Sequence, residues 1–227
     1  MKTITKEMQN AITPAIALEL LKEGNKRFIN NLKVNRNLLQ QANETSDGQH
    51  PFAVILSCID SRTSAELIFD QGLGDIFSVR IAGNIINEDI LGSMEFACRI
   101  AGAKAIVVLG HSKCGAVKGA CDHVEMGNLT ELLSKIQPAV YAEKATQENR
   151  SASNASFVEN VSEINVKRSV NSVIERSFIL EQMIESGQIG IVGAMHNIET
   201  GEVTFYDDAV YINDDETPDF SLAKLKH

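Results

Sequence analysis

The sequence predicts an α/β protein: a mostly parallel four-stranded sheet with an added antiparallel edge strand, helices on both faces and an N-terminal helical arm. Short apolar, β-branched runs alternate with stretches of helical periodicity, which is the pattern of βαβ units and a parallel sheet. The first run, from Pro51 to Ser57, is too continuous to alternate and too short for a membrane span. Late in the chain, a turn around Gly201 returns the backbone as a hairpin partner for the fourth strand.

The N-terminal arm, residues 1–35, contains a predicted amphipathic helix over residues 14–32. Thr13 and Pro14 suit a cap followed by the first helical position. This helix can lie on the main domain or on a partner subunit, and the pattern favours neither. Residues 33–50 are polar and predict a loop. The acidic segment 212–227 predicts a loosely held tail.

The remaining elements follow from apolar periodicity and from glycines at helix ends. Gly102 is expected to close the helix that precedes the third strand, and Gly187 the helix that precedes the fourth. Residues 145–160 are polar and fit either a solvated loop or a polar helix. The predicted strands cover residues 51–57, 75–80, 104–109, 188–195 and 203–206, and the predicted helices cover 14–32, 64–71, 90–101, 129–144 and 161–184.

Composition limits the function classes. The 227 residues fit one domain, 1–227, and 44% hydrophobic with 22% charged residues is ordinary for a soluble globular protein. The formal net charge of −9 argues against nucleic acid and anionic membranes as partners. The N-terminus lacks the apolar core of a secretory signal, so we expect a cytoplasmic protein. Four cysteines are too few for a disulfide scaffold, which favours metal ligation or catalysis.

Two clusters of chemically active side chains follow two of the predicted strands. Cys58, Asp60 and Arg62 come directly after the first strand, and His111 and Cys114 come directly after the third. Because the carboxyl ends of parallel strands share one edge of a sheet, we expect the clusters to converge. Two thiolates and one imidazole suit tetrahedral zinc, and a three-ligand set leaves the fourth position open, as in catalytic zinc sites.

These residues resemble the signature of the β-class carbonic anhydrases. The two halves of the resemblance are Cys58-x-Asp60-Ser61-Arg62 and Gly110-His111-x-x-Cys114-Gly115. The flanking segment 80–84 agrees, and the resemblance extends over residues 14–206. It implies one zinc ion per subunit, held by Cys58, His111 and Cys114. It also implies the reversible hydration of carbon dioxide to bicarbonate and a proton by zinc-bound hydroxide.

The resemblance assigns roles to the charged pair. Asp60 matches a carboxylate that accepts a hydrogen bond from the zinc-bound hydroxide. Arg62 is expected to hold Asp60 as a bidentate ion pair, which keeps it ionised and away from the metal. Some family members let this aspartate swing onto zinc, and they carry a tryptophan three residues before the first cysteine. This chain has Ile55 there and no tryptophan, so we expect the open form.

The resemblance also implies a substrate pocket for carbon dioxide and bicarbonate. Gln49 matches a glutamine that donates a hydrogen bond to a substrate oxygen. Two aromatic residues match positions that wall the pocket, and the glycine after the second cysteine is expected to contact substrate. His196 is more simply explained as a structural residue than as a proton relay. The predicted substrate-binding residues are Gln49, Phe77, Phe96 and Gly115.

The family assembles as dimers or larger oligomers, so the resemblance implies a homodimer or homotetramer whose pocket is completed across the interface. Two alternatives stay open at this point. One is a hydrolase of carbon disulfide or carbonyl sulfide on the same scaffold. The other is a non-catalytic, zinc-stabilised protein that binds bicarbonate. The intact Asp60–Arg62 pair argues against the second alternative, because a structural zinc site does not need it.

Overall fold

The computed structural model describes residues 3–212, which fold around one five-stranded sheet in the order β2-β1-β3-β4-β5. The first four strands are parallel, and β5 runs antiparallel to β4. The predicted fold class is therefore confirmed. The strands are β1 (Ala53–Ser57), β2 (Ile76–Arg80), β3 (Ala105–His111), β4 (Gly190–His196) and β5 (Val203–Tyr211).

The two central strands explain why the sheet needs helices on both sides. Every residue of β1 and β3 is buried, so each strand packs apolar side chains against both layers. Ile55 and Val107 belong to one core, and Val54 and Ile106 belong to the core on the opposite face. The register pairs Ser57 with Leu109, so both strands end at the same edge of the sheet.

The helices lie on both faces of the sheet. Thr13 caps α2 by accepting a hydrogen bond from the Ile16 amide at 3.3 Å, and Pro14 is the first helical residue, as predicted. This helix packs on the sheet of its own chain through Ile16 and Leu21. The helices are α1 (Lys6–Ala11), α2 (Pro14–Ile29), α3 (Leu38–Glu44), α4 (Ala65–Ile68), α5 (Glu88–Glu95), α6 (Gly115–Cys121), α7 (Gly127–Ser134), α8 (Gln137–Ala142), α9 (Ala155–Arg176) and α10 (Phe178–Glu185).

Three sequence-based boundaries are wrong. The predicted loop 33–50 contains α3, whose start is capped by Asn37 through a 3.0 Å hydrogen bond from the Gln40 amide. The predicted helix 129–144 is two short helices, α7 and α8, and Pro138 lies in the first turn of the second. The predicted helix 161–184 begins earlier, at Ala155, and divides at Ser177, which leaves the helical conformation and caps α10.

Residues 3–212 do not test every prediction about the organisation of the chain. Most of the predicted tail, residues 213–227, lies outside the described residues. The assignment of 1–227 to one domain stays a prediction. Across residues 3–212, no helix is both long enough and apolar enough to pass through a bilayer.

Candidate metal centre

Two cysteines and a histidine meet where β1 and β3 end. The Sγ atoms of Cys58 and Cys114 and a ring nitrogen of His111 lie within 4.8 Å of one another. All three side chains are buried, with exposed fractions of 4%, 1% and 1% respectively. The parallel pairing of β1 with β3 produces this meeting, because the residues that follow each strand leave the sheet at one edge.

His111 presents one nitrogen to the cluster in a form that can bind a metal. Its Nδ1 lies 2.9 Å from the carbonyl oxygen of Ser112, so Nδ1 carries the proton and donates. Nε2 then bears a free lone pair. Among the described residues it has no hydrogen-bond partner, although it is buried. Because buried nitrogen atoms are rarely left unpaired, this geometry fits a zinc ligand whose other nitrogen is oriented by a backbone carbonyl.

The two thiols are not equivalent without a metal. A hydrogen bond from Cys114 lowers the pKa of Cys58 to about 4, and the neighbouring Cys58 sulfur raises the pKa of Cys114. Cys58 also accepts a 3.4 Å hydrogen bond from the amide of Gly83, which lies in a short turn (Ala82–Asn84) with φ +68°. The protein alone thus favours one thiolate, and a bound cation would displace the second proton.

Asp60 and Arg62 form the bidentate pair that the sequence predicts. Arg62 donates from Nε to Oδ1 at 2.9 Å and from Nη2 to Oδ2 at 2.7 Å. Its backbone amide adds a third hydrogen bond to Oδ1 at 3.0 Å. These hydrogen bonds hold the pKa of Asp60 well below its usual range, so the carboxylate is ionised across the physiological range.

Two further residues fix the backbone of the loop from Cys58 to Asp60. Sequence reasoning missed their roles. Arg80, at the end of β2, donates to the carbonyl oxygens of Cys58 at 3.1 Å and Asp60 at 2.7 Å. Thr63 donates to the same Asp60 oxygen at 2.9 Å. The placement of Arg80 at the end of the neighbouring strand was the available signal. These contacts hold Cys58 and Asp60 at a fixed separation.

The loop from His111 to Cys114 is held from two other elements. The amide of Ser112 donates to the carbonyl of His196 at 2.9 Å, which ties the loop to β4. Lys113 adopts a left-handed conformation with φ +59°, and its amide donates to Oε1 of Glu159 at 2.9 Å. Glu159 lies on α9 and was not identified from the sequence. Because Lys113 immediately precedes Cys114, this contact sets the direction of the second cysteine.

We expect replacement of Glu159 by Gln to weaken zinc binding about tenfold, since residues that orient metal ligands typically contribute that much. The uncharged amide is a poorer acceptor for the Lys113 amide. Zinc affinity measured by competition with a chromogenic chelator checks this expectation. Glu163→Gln, one turn further along α9, removes a carboxylate paired with Lys167 instead and should leave zinc affinity unchanged. Equal affinities for the two variants would contradict the assigned role.

Two of the four predicted substrate residues, Phe77 and Phe96, line a groove of their own, whereas Gly115 directly follows Cys114. Phe77 and Phe96 stack edge to face, with ring centroids 6.3 Å apart, in a groove at the outer edge of β2. None of the three candidate ligands lines that groove. Gln49 is exposed shortly before β1, and Gly115 is exposed as the first residue of α6.

His196 lies beside His111 in the register of β3 and β4. Its side chain is buried, and both ring nitrogens lack a hydrogen-bond partner among residues 3–212. Burial lowers the pKa of His196 to about 4, so the ring is neutral at physiological pH. The structural interpretation of His196 stays a prediction.

Comparison with known proteins decides the family. A family model described as carbonic anhydrase matches residues 53–203. Carbonic anhydrase 2 of Mycobacterium tuberculosis is 34% identical over 206 residues, which cover 86% of this chain and 93% of that protein. The structure of the β-carbonic anhydrase CcaA has a TM-score of 0.67 and 25% identity, covering 84% of this chain and 87% of that one. The chain belongs to the β-class carbonic anhydrases.

Other relatives agree with this membership. The carbonic anhydrase of Mycolicibacterium smegmatis is 33% identical over 197 residues, covering 84% of this chain and 92% of that protein. A β-carbonic anhydrase of the fungus Sordaria macrospora, described as tetrameric, has the same fold, with a TM-score of 0.65 and 22% identity over 85% of this chain and 95% of that one. The β-carbonic anhydrase fold therefore extends over most of the described residues.

Proposed function

We propose that Cys58, His111 and Cys114 hold one zinc ion per subunit, and that Asp60 and Arg62 act beside it in the reversible hydration of carbon dioxide to bicarbonate and a proton. One observation carries the assignment of the ligands: three buried zinc-type donor atoms lie within 4.8 Å of one another. The unpartnered Nε2 of His111 supports it, because a metal ion would satisfy that atom.

The protein side of the mechanism rests on Asp60. A bound zinc ion supplies Lewis-acid chemistry that lowers the pKa of a water molecule towards neutrality. The ionised carboxylate of Asp60 accepts a hydrogen bond from the attacking oxygen and so directs a lone pair of that oxygen at the carbon of the substrate. Arg62 engages both carboxylate oxygens, which restrains Asp60 from turning towards the ligands. This restraint supports the open form of the site.

Stopped-flow measurement of carbon dioxide hydration on the zinc-loaded protein tests the proposal. We expect turnover far above the buffer rate, together with one zinc ion per chain by elemental analysis. A protein that binds zinc stoichiometrically but gives no rate above buffer would refute the catalytic assignment. The same preparation assayed with carbon disulfide and carbonyl sulfide tests the alternative substrates, and we expect no comparable turnover with them.

We propose that the substrate pocket is completed by a second copy of the chain, in a homodimer or homotetramer. The supporting observation is the edge of the sheet at β2, which pairs only with β1 among the described strands. Beside this edge, Phe77, Val79 and Phe96 line a groove, and the Phe96 side chain is 54% exposed. Large exposed aromatic surface of this kind is typical of interfaces. Gln49, Phe77, Phe96 and Gly115 are the proposed substrate contacts.

Replacing Phe96 by Arg is expected to convert the oligomer to a 24.8 kDa monomer, because a charge in an apolar interface is left without a partner. Light scattering coupled to size-exclusion chromatography measures the mass. Tyr141→Arg is the matched control, since Tyr141 is an exposed aromatic residue on α8, and it should leave the mass unchanged. A monomeric wild-type protein, or a Phe96→Arg variant of unchanged mass, would contradict the assignment.

We also propose a cytoplasmic location. The supporting argument is chemical: the site needs both Cys58 and Cys114 as free thiols, and the two lie close enough to be oxidised together. Reducing compartments keep such thiols available for metal binding.

A further inference from the structure

A cleft lies next to the turn Ala82–Asn84, whose Gly83 amide donates a hydrogen bond to Cys58. It has a volume of about 450 Å³ and is bounded by α9, by the α7–α8 region and by the loop that precedes α5. This volume falls within the roughly 300–1,000 Å³ typical of small-molecule sites. The walls are mainly polar: three cationic side chains, Lys135, Arg168 and Arg176, line it together with two carboxylates, Glu88 and Glu131.

The cations of the cleft are available to a ligand. Within the part of the chain that the structure describes, no hydrogen bond or ion pair engages the guanidinium of Arg168. Arg176 pairs with Glu88 at 2.7 Å, but the Glu88 side chain is 87% exposed. Such surface pairs contribute little to stability, so a multivalent anion can displace the glutamate at small cost.

Lys135, like Arg176, is paired with an exposed glutamate that an anion can displace. It pairs with Glu131 at 2.5 Å, and the Glu131 side chain is 78% exposed. If both glutamates turn out to solvent, three positive charges face the cleft in a protein whose formal net charge is −9. A cationic concavity on an acidic protein favours a dianion over a monoanion, because the attraction grows with ligand charge.

The floor of the cleft is polar and rigid. Asn165 and Ser169 are buried side chains of α9 that line it. Asn165 donates to the carbonyl of Gly83 at 2.9 Å, and Ser169 donates to the carbonyl of Asn84 at 3.3 Å. These contacts fix two polar side chains in the lining of the cleft, as expected of a preorganised site.

We propose that this cleft binds a small molecule that carries a phosphate dianion. Three separated cations match a group with three terminal acceptor oxygens, and guanidinium groups bind phosphate through paired hydrogen bonds. The volume leaves room for an organic group beyond the phosphate. The site lies outside the metal cluster, with which it shares no lining residue.

Isothermal titration of the zinc-loaded protein with inorganic phosphate and with ribose 5-phosphate tests this proposal. We expect saturable binding of both, with the ester binding more tightly because it fills more of the cleft. Arg168→Gln should weaken both affinities by about tenfold or more, the usual effect of losing a charge-assisted contact. Arg99→Gln removes an exposed guanidinium outside the cleft and should leave them unchanged.

The variants separate this site from the metal centre, where anions can also bind. Phosphate held at the metal would bind Arg168→Gln as tightly as wild type, and that result would overturn the proposal. Absence of saturable phosphate binding up to about 10 mM, a free energy of roughly −3 kcal/mol, would overturn it as well. Tighter binding of inorganic phosphate than of the ester would refute an organic phosphate as the ligand and leave the free anion.

Discussion

Replacing Cys58 by serine is expected to abolish stoichiometric zinc binding and to reduce carbon dioxide hydration by roughly a thousandfold or more. A serine hydroxyl stays protonated at neutral pH and is a poor zinc ligand, so only one imidazole and one thiolate would remain. Zinc content after dialysis against a chelator, with the hydration rate of the same sample, measures both effects. Circular dichroism confirms that the variant is folded.

Cys98→Ser is the matched control for the loss of a buried thiol. Cys98 lies in the core that contains Val54 and Ile106, and burial raises its pKa to about 12, so the thiol is neutral at physiological pH. We expect this variant to retain one zinc ion per chain, although packing of the hydroxyl lowers its stability. If Cys58→Ser keeps its zinc and its turnover, the proposed ligand set is wrong.

Asp60→Asn is expected to lower turnover by about 10²- to 10³-fold while zinc stays bound, the usual effect of removing one preorganised transition-state contact. The amide keeps the size of the side chain but loses the negative charge that accepts the hydrogen bond and attracts Arg62. Stopped-flow rates and zinc content together separate this effect from loss of the metal. Asp47→Asn, in the surface loop before β1, should change neither quantity. Unchanged turnover in Asp60→Asn would remove Asp60 from the mechanism.

A second variant tests whether Arg62 acts through Asp60. The hydrogen bonds from Arg62 lower the folded-state pKa of Asp60, so their removal raises that pKa towards its usual value. The ionised form of Asp60 is then lost at a higher pH. We expect Arg62→Gln to shift the acid side of the pH–rate profile upwards while zinc remains bound. A lower plateau with an unshifted profile would show that Arg62 does not control this ionisation.

The convergence of the candidate ligands could be predicted from the sequence because each lies in or next to a strand with a clear apolar pattern. Because Cys58 follows β1 and His111 ends its parallel neighbour β3, the topology places them at one edge. Glu159 could not be predicted, because its contact with Lys113 depends on how the polar start of α9 packs against a distant loop. A local sequence pattern does not indicate which distant residues a segment will contact.

Two errors in the predicted secondary structure also arise because the local apolar pattern is misleading. Helix α3 is largely polar and exposed, so its sequence lacks the apolar periodicity that predicts helices. The division at Ser177 was missed because the apolar spacing continues through it, whereas the serine hydroxyl caps the next helix locally. The roles of Gln49 and Phe96 stay predictions, because they rest on the proposed second copy of the chain.

The origin of the ligands on two different strands has a consequence for folding. Cys58 and His111 are distant in sequence and become neighbours only after β1 and β3 have paired. A metal ion bound between them would close a long loop of the chain, and it would favour the folded state because only the folded state holds its ligands together. A higher concentration of free zinc should therefore raise the melting temperature by mass action. Metal uptake then reports the moment at which the centre of the sheet has assembled.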